Sequence, residues 1–140
     1  RAFYALMKAR GAGVILNILG NSGERVDSGY ICGSSGNAAL MAFTRALGGT
    51  SHRDNIRVLA LSPGPVATER LVRLTKKEAR DRLGDEGRHA EFYKDCPFGR
   101  PAACDEISAA AALLVSERSS YTTGTVVTID GGLANAGSLI

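Results

Sequence analysis

The chain has no tryptophan, and its other aromatics are four Tyr and four Phe in 140 residues. A nucleic-acid surface that works by stacking needs a series of exposed rings among basic residues. That class is set aside. A formal net charge of +3 does not bring it back, since so mild an excess fits ordinary solubility. Cysteine is scarce and odd in number. Cys32, Cys96 and Cys104 show no Cys-x-x-Cys spacing, which argues against a disulfide framework and against a zinc or other metal site. Three unpaired thiols fit a reducing cytoplasm. No apolar run approaches the ~20 residues of a membrane span. The longest candidate, 107–115, is short and rich in Ala. No secretory leader, internal repeat, low-complexity tract or linker is visible, so the chain reads as one domain.

What is present is an α/β pattern. Hydrophobic residues make up 44% of the chain, enough for a core, and 17 glycines suit tight turns and close backbone contacts. Phe3, Leu6, Met7 and Arg10 keep helical spacing, and Gly11 and Gly13 end that helix. Residues 14–19, Val-Ile-Leu-Asn-Ile-Leu, form a nearly unbroken apolar run of strand length. Such runs belong to strands covered on both faces of a parallel sheet. A polar loop, 20–29, follows. A helix is expected over 31–48, with Ala38, Met41, Ala42, Arg45 and Ala46 in neighbouring rows and Gly48-Gly49 as its stop. A second strand is expected at 56–61, surface helices within the charged stretch 69–94, a helix at 104–116 and a third strand at 125–130. Strand-helix-strand-helix-strand order implies right-handed crossovers and parallel strands, with the middle one between the others.

The stretch most suited to a ligand is Pro63-Gly64-Pro65-Val66-Ala67-Thr68. Pro63 and Gly64 break the second strand. Gly64 has no side chain, so a flat ligand could approach its backbone. Thr68 can cap the next helix. The loop therefore sits at the carboxyl end of a strand, where open α/β sheets bind ligands.

Three further blocks accompany it. They are the Ala38-to-Leu47 segment, Pro97-Phe98-Gly99-Arg100-Pro101, and Thr123-Gly124-Thr125-Val126-Val127-Thr128-Ile129-Asp130-Gly131-Gly132. In this order and spacing the four blocks resemble the C-terminal half of the short-chain dehydrogenase/reductase family, over nearly the whole chain. The resemblance implies half of a Rossmann-type doubly wound parallel sheet, with residues 1–140 as a partial single domain. The glycine-rich dinucleotide fingerprint of the other half has no counterpart here, so this chain alone is expected to bind a nicotinamide dinucleotide weakly. The implied activity is hydride transfer between NAD or NADP and an alcohol or ketone. Reductases of 3-oxoacyl groups on carrier protein are the nearest analogy. No nucleic acid and no membrane partner are expected. A homo-oligomer is, through the 31–48 helix or the 105–129 region, with the apolar tail 133–140 adding to it.

The family works with a Ser, a Tyr and a Lys. The Tyr moves the hydroxyl proton, the Lys favours the ionised phenol and holds the nicotinamide ribose, and the Ser orients the carbonyl. Laid on this chain, Tyr-x-x-x-Lys falls on Gly33 and Asn37, and the Ser falls on Gly20. None of the three expected residues is there. The nearest replacements are Tyr30 as the acid and Ser22 as the orienting hydroxyl, with Asn37 as the ribose contact. No Lys occurs between Lys8 and Lys76, so Arg25 or Arg45 would supply the cation. Pro63, Gly64, Val66 and Thr68 match the loop that meets the nicotinamide. Tyr30 has a second reading, as a ring packed at a helix start. The whole chain has one too, as a silent member acting in oligomerisation or ligand binding. Asp130-Gly131-Gly132 reads as a structural turn. The Arg70, Arg73, Lys76, Lys77 and Arg80 group, interleaved with Glu69, Glu78 and Asp81, reads as a solvated face rather than an acid-binding one. His52 and His89 read as surface residues, and Cys32 as a small buried thiol at a helix start.

Overall fold

A computed structural model describes residues 1–136. Its centre is a three-stranded parallel sheet made of β1 (Gly13–Ile18), β2 (Ile56–Pro63) and β3 (Val126–Ile129), in the order β1-β2-β3. Leu16 lies beside Leu59, Ile18 beside Leu61, and Leu61 beside Val127. The middle strand is the one with most to hide. Ile56, Val58, Leu59, Ala60, Leu61 and Ser62 are all fully buried. A continuous apolar run can occupy that place because both of its faces are covered.

Two helices do the covering. α2 (Ile31–Ser51) packs on one face and α4 (Cys104–Val115) on the other. On the α4 side Leu59, Leu61 and Leu114 form the core, joined by Leu16, Ile107 and Val127. On the α2 side the contact is tighter and more polar. Asn17 donates from Nδ2 to Thr44 Oγ1 at 3.0 Å, and the Thr44 hydroxyl donates to Leu40 O at 2.8 Å. Gly48 presses against the backbone of Gly124 and Val58, where a Cβ would overlap. That approach corrects the reading of Gly48-Gly49 as a helix stop. α2 runs through both glycines to Ser51. Gly48 is there for close packing, and the helix ends in a turn at 52–54 and a left-handed Asn55. Cys32 is exposed rather than buried, because α2 turns that side away from the sheet.

The other elements hold to the sequence pattern. α1 (Ala2–Arg10) ends at a left-handed Gly11. It buries no residue of its own and is held by polar contacts. Tyr4 Oη donates to Asp54 at 2.8 Å, and Lys8 pairs with Asp54 at 3.0 Å. α3 (Glu69–Leu83) ends at a left-handed Gly84 and is followed by a 3-10 segment, Glu86–Asp95. Its charges pair along its own surface, Arg82 with Glu78 and Lys77 with Asp81. β3 is shorter than expected because Asp130 leaves the strand to build a turn.

α4 carries no basic residue in its last turn, so its terminal carbonyls need a donor from elsewhere. Arg57 supplies it from β2. Its guanidinium donates to Leu114 O at 2.7 Å, Val115 O at 3.1 Å and Ser116 O at 3.0 Å. A cation at the negative end of a helix adds a favourable dipole term. Arg57→Met keeps the stem and removes all three bonds. It should lower stability by about 2–3 kcal/mol in urea unfolding, the scale of hydrogen bonds to a charged group.

Candidate active site

Parallel strands bring their carboxyl ends to one edge, and here a buried carboxylate helps tie that edge together. Asp130 follows β3 and is 8% exposed. Its carboxylate accepts from Gly132 N at 2.8 Å and Ala134 N at 2.7 Å, within its own turn. It also accepts from Asn21 Nδ2 at 3.5 Å, in the loop after β1. Burial alone would push the Asp130 carboxyl up. The N–H donors of Ala134 and Gly132 and the Asn21 amide outweigh burial and hold it below its ordinary value. Gly64, just after β2, lies against the same residue, and a Cβ there would sit 2.7 Å from Asp130 Cβ. The missing side chain at Gly64 therefore makes room for Asp130. The sequence reading had only a ligand's approach as the reason for that glycine, and the fold supplies a second one.

Beside this junction is an open cleft of about 550 Å³. Ser22, Arg25, Asp27 and Tyr30 line it, with Asn21 and Leu133. The structure thus brings Ser22 and Tyr30 to one cleft, together with Arg25 but not Arg45. Tyr30 is half exposed and stands at the start of α2. Its ring lies over Gly33, in the space that a side chain at 33 would fill. The turn that carries Tyr30 is fixed by Asp27, whose carboxylate accepts from Gly29 N at 2.7 Å and whose N–H donates to Ser34 Oγ at 3.2 Å. Asn37 stands behind the cleft, one turn further along α2. Its Oδ1 accepts from Gly20 N at 2.9 Å, and its Nδ2 donates to Gly33 O at 2.9 Å and to Ser22 Oγ at 3.0 Å.

The second predicted group lies along the neighbouring loop. Pro63 is buried and closes β2 opposite Ile129. Gly64 N donates to Ile129 O at 3.0 Å. Val66 bridges to Ala102, and Thr68 accepts from Leu71 N at 3.3 Å as the cap of α3. Thr68 also lines a different, wider cleft of about 730 Å³ beside Arg73, Lys76 and Arg80. Pro63 and Gly64 therefore join the Ser22–Tyr30 cleft through Asp130 and Asn21, and Val66 and Thr68 continue the loop from there to the start of α3. Asn21 escaped the sequence reading. Nothing in a polar loop marks which amide will meet a residue more than a hundred positions later. No group of His, Cys, Asp and Glu among the described residues could hold a metal, and no helix among them is long and apolar enough to cross a membrane.

A family model described as enoyl-(acyl carrier protein) reductase matches residues 1–134. The chain belongs to the short-chain dehydrogenase/reductase family. It is 36% identical over 135 residues to a galactitol 2-dehydrogenase of Cereibacter sphaeroides, covering 94% of this chain and 50% of that protein. It is 35% identical over 129 residues to a 3-oxoacyl-[acyl-carrier-protein] reductase of Chlamydia trachomatis, covering 92% and 48%. Among solved structures it is similar to the L-sorbose reductase of Gluconobacter frateurii complexed with NADPH and L-sorbose. The TM-score there is 0.83 at 28% identity, over 94% of this chain and 51% of that one. The chain spans about half the length of the curated relatives it matches.

A smaller cavity of about 240 Å³ adjoins Asp130 on its other side, between Pro65, Phe98 and Gly131. Its rim is an ion pair. Arg100 grips Glu106 with two bonds of 2.7 and 2.8 Å, and Glu106 also accepts from Ala103 N at 2.7 Å. The Arg100 guanidinium, with the Ala103 N–H, holds Glu106 down at about 2 from its ordinary 4.5. A depressed carboxyl stabilises the fold above its unfolded value and loses that contribution as pH falls through its folded value. The melting temperature of the protein should exceed that of Glu106→Gln at pH 6. The gap should close between 4.5 and about 2 in a pH series of thermal melts.

Proposed function

We propose that this chain carries the catalytic face of an NAD- or NADP-dependent oxidoreductase, acting between an alcohol and its ketone or aldehyde. It would supply the C-terminal half of a Rossmann-type domain, in the manner of the half-length match to its relatives. The observation that carries this reading is the meeting of Ser22 and Tyr30 in one cleft at the carboxyl edge of the sheet. In the reducing direction the Ser22 hydroxyl donates to the carbonyl oxygen and orients it. Tyr30 gives its phenolic proton to that oxygen as the carbonyl carbon gains hydride. In the oxidising direction the Tyr30 phenolate takes the proton back. Arg25, in the same cleft, supplies positive potential where the family uses Lys.

The loop that follows β2 fits a nicotinamide cofactor. Pro63 and Gly64 set its path along the sheet edge, and Val66 offers a backbone N–H. Thr68 keeps a hydroxyl proton free after accepting from Leu71. A nicotinamide held there supplies or accepts the hydride. A 3-oxoacyl substrate on carrier protein and a sugar alcohol are both within the range of the relatives' names. The protein would work in the cytoplasm as a homo-oligomer. Its exposed apolar surface on α1 and α2, with Phe3, Leu6, Leu40 and Phe43, suits a second copy. The tail expected to assist runs from 133 to 140, and residues 137–140 lie outside the described ones.

Tyr30→Phe is the direct test. Alcohol oxidation, measured from pH 7 to 10, should be slower in Tyr30→Phe than in the unaltered protein, by on the order of 10²-fold or more, as for removal of a general acid–base group. Equal rates for the two proteins across that range would make Tyr30 a packing residue and remove the proposal.

A further inference from the structure

The amide of Asn37 holds information that the mechanism above does not use. Both of its N–H bonds are already engaged, one with Gly33 O and one with Ser22 Oγ, so no donor is left for a ribose, and its oxygen receives the Gly20 N–H. The orientation of that amide is not open to a flip. Gly20 N–H can only donate, so it must meet the oxygen. Gly33 C=O can only accept, so it must meet the nitrogen. The second N–H then points at Ser22, and Ser22 Oγ is the acceptor in that bond.

A hydroxyl has one proton. With its oxygen already receiving a hydrogen bond from Asn37, Ser22 is set to place that proton elsewhere. Ser22 lines the cleft that holds Tyr30 and Arg25, and Asn37 does not. We propose that Asn37 is a positioning residue that fixes Ser22 as a hydrogen-bond donor into this cleft, aimed at the carbonyl or alkoxide oxygen of the substrate. The proposal rests on the oxidoreductase reading. It assigns position 37 a task unlike that of the Lys the family resemblance led us to expect. A Lys has three donors and no acceptor, and it could not receive the Gly20 N–H. Only a carboxamide meets all three partners. Gly20 leaves the room for it, since a Cβ there would stand 3.3 Å from Asn37 Nδ2.

Asn37→Asp separates the two tasks. The new carboxylate has nearly the same shape and still accepts from Gly20 N. It cannot donate to Ser22, so the Ser22 proton turns inward toward it. We expect kcat to fall about 10²- to 10³-fold, the scale for loss of one preorganised donor, with the cofactor KM within about twofold. As pH falls and the introduced carboxyl regains a proton, part of the lost rate should return. The unaltered protein, which already carries whatever Asp27 and Tyr30 contribute, is the reference profile. In a Ser22→Ala background Asn37→Asp should cost nothing further. A raised cofactor KM at unchanged kcat would restore the ribose contact and overturn the proposal, as would independent effects of the two substitutions.

A second readout needs no turnover. In the NMR spectrum both side-chain N–H protons of Asn37 should exchange slowly, and Ser22→Ala should release one of them. Two fast protons, or no change on Ser22→Ala, would sink the proposal even in an active enzyme. A protein with no turnover in which one proton is released would keep this bond direction and fail only the oxidoreductase reading. Should Asn37→Asp not fold, the Ser22→Ala spectrum decides.

Discussion

One buried carboxylate holds the working edge of this sheet together. Three parallel strands end side by side, and each leaves into a loop with its own polar backbone to satisfy. Asp130 binds its own turn through Gly132 and Ala134, reaches the β1 loop through Asn21, and leaves Gly64 no room for a side chain. A second tie runs parallel to it, from Thr128 Oγ1 to Glu24 at 2.9 Å. Both ties join β3 to the loop between β1 and α2. That loop carries Ser22 and leads into Tyr30. The position of the candidate catalytic groups therefore depends on a turn more than a hundred residues away in sequence. The N–H donors that satisfy Asp130 also explain why it can stay charged while nearly hidden.

Close packing sets the second constraint. α2 lies so near the sheet that Gly48 meets the backbone of Gly124, and the β1 loop lies so near α2 that a Cβ on Gly23 would stand 2.8 Å from Ala38 N. The Gly48 contact lies at the amino ends of β2 and β3 and the Gly23 contact at the loop after β1, so α2 is held close at both ends of the sheet. The reach of Asn37 to Gly20 and Ser22 exists only at this separation. Packing density and site geometry are one requirement here, because a side chain at either glycine would lift the helix that carries both Tyr30 and Asn37.

Most of the fold was legible in the sequence, for a physical reason. Long apolar runs such as 14–19 and 56–61 have few ways to be buried, and alternation with helices leaves a parallel sheet as the simplest one. Local punctuation was legible where it acts locally, as at Gly11 and the Thr68 cap. It misled at Gly48, where glycine answers to a neighbour across the fold rather than to its own chain direction. The site was legible only as a set of residue types. Tyr30 and Ser22 were singled out through the family resemblance, as the nearest replacements for its Tyr and Ser. That both N–H bonds of Asn37 would be met inside the chain was not legible, because it depends on the β1 loop folding back over α2.

The residues on which the resemblance lays the family's Ser-Tyr-Lys pattern, Gly20, Gly33 and Asn37, fit one another in space. With no side chain at Gly33, the ring of Tyr30 can lie over that position from one turn earlier. With no side chain at Gly20, the Asn37 amide can approach that residue's backbone N–H. With Asn37 braced there, Ser22 receives a donor in place of the hydroxyl at position 20. Restoring only one of these would set the others in conflict. A Tyr at 33 would displace Tyr30, and a Lys at 37 would strand the Gly20 N–H and remove the contact to Ser22. The three positions are coupled in space, since the ring of Tyr30 lies over Gly33 and the Asn37 amide joins the Gly20 backbone to Ser22.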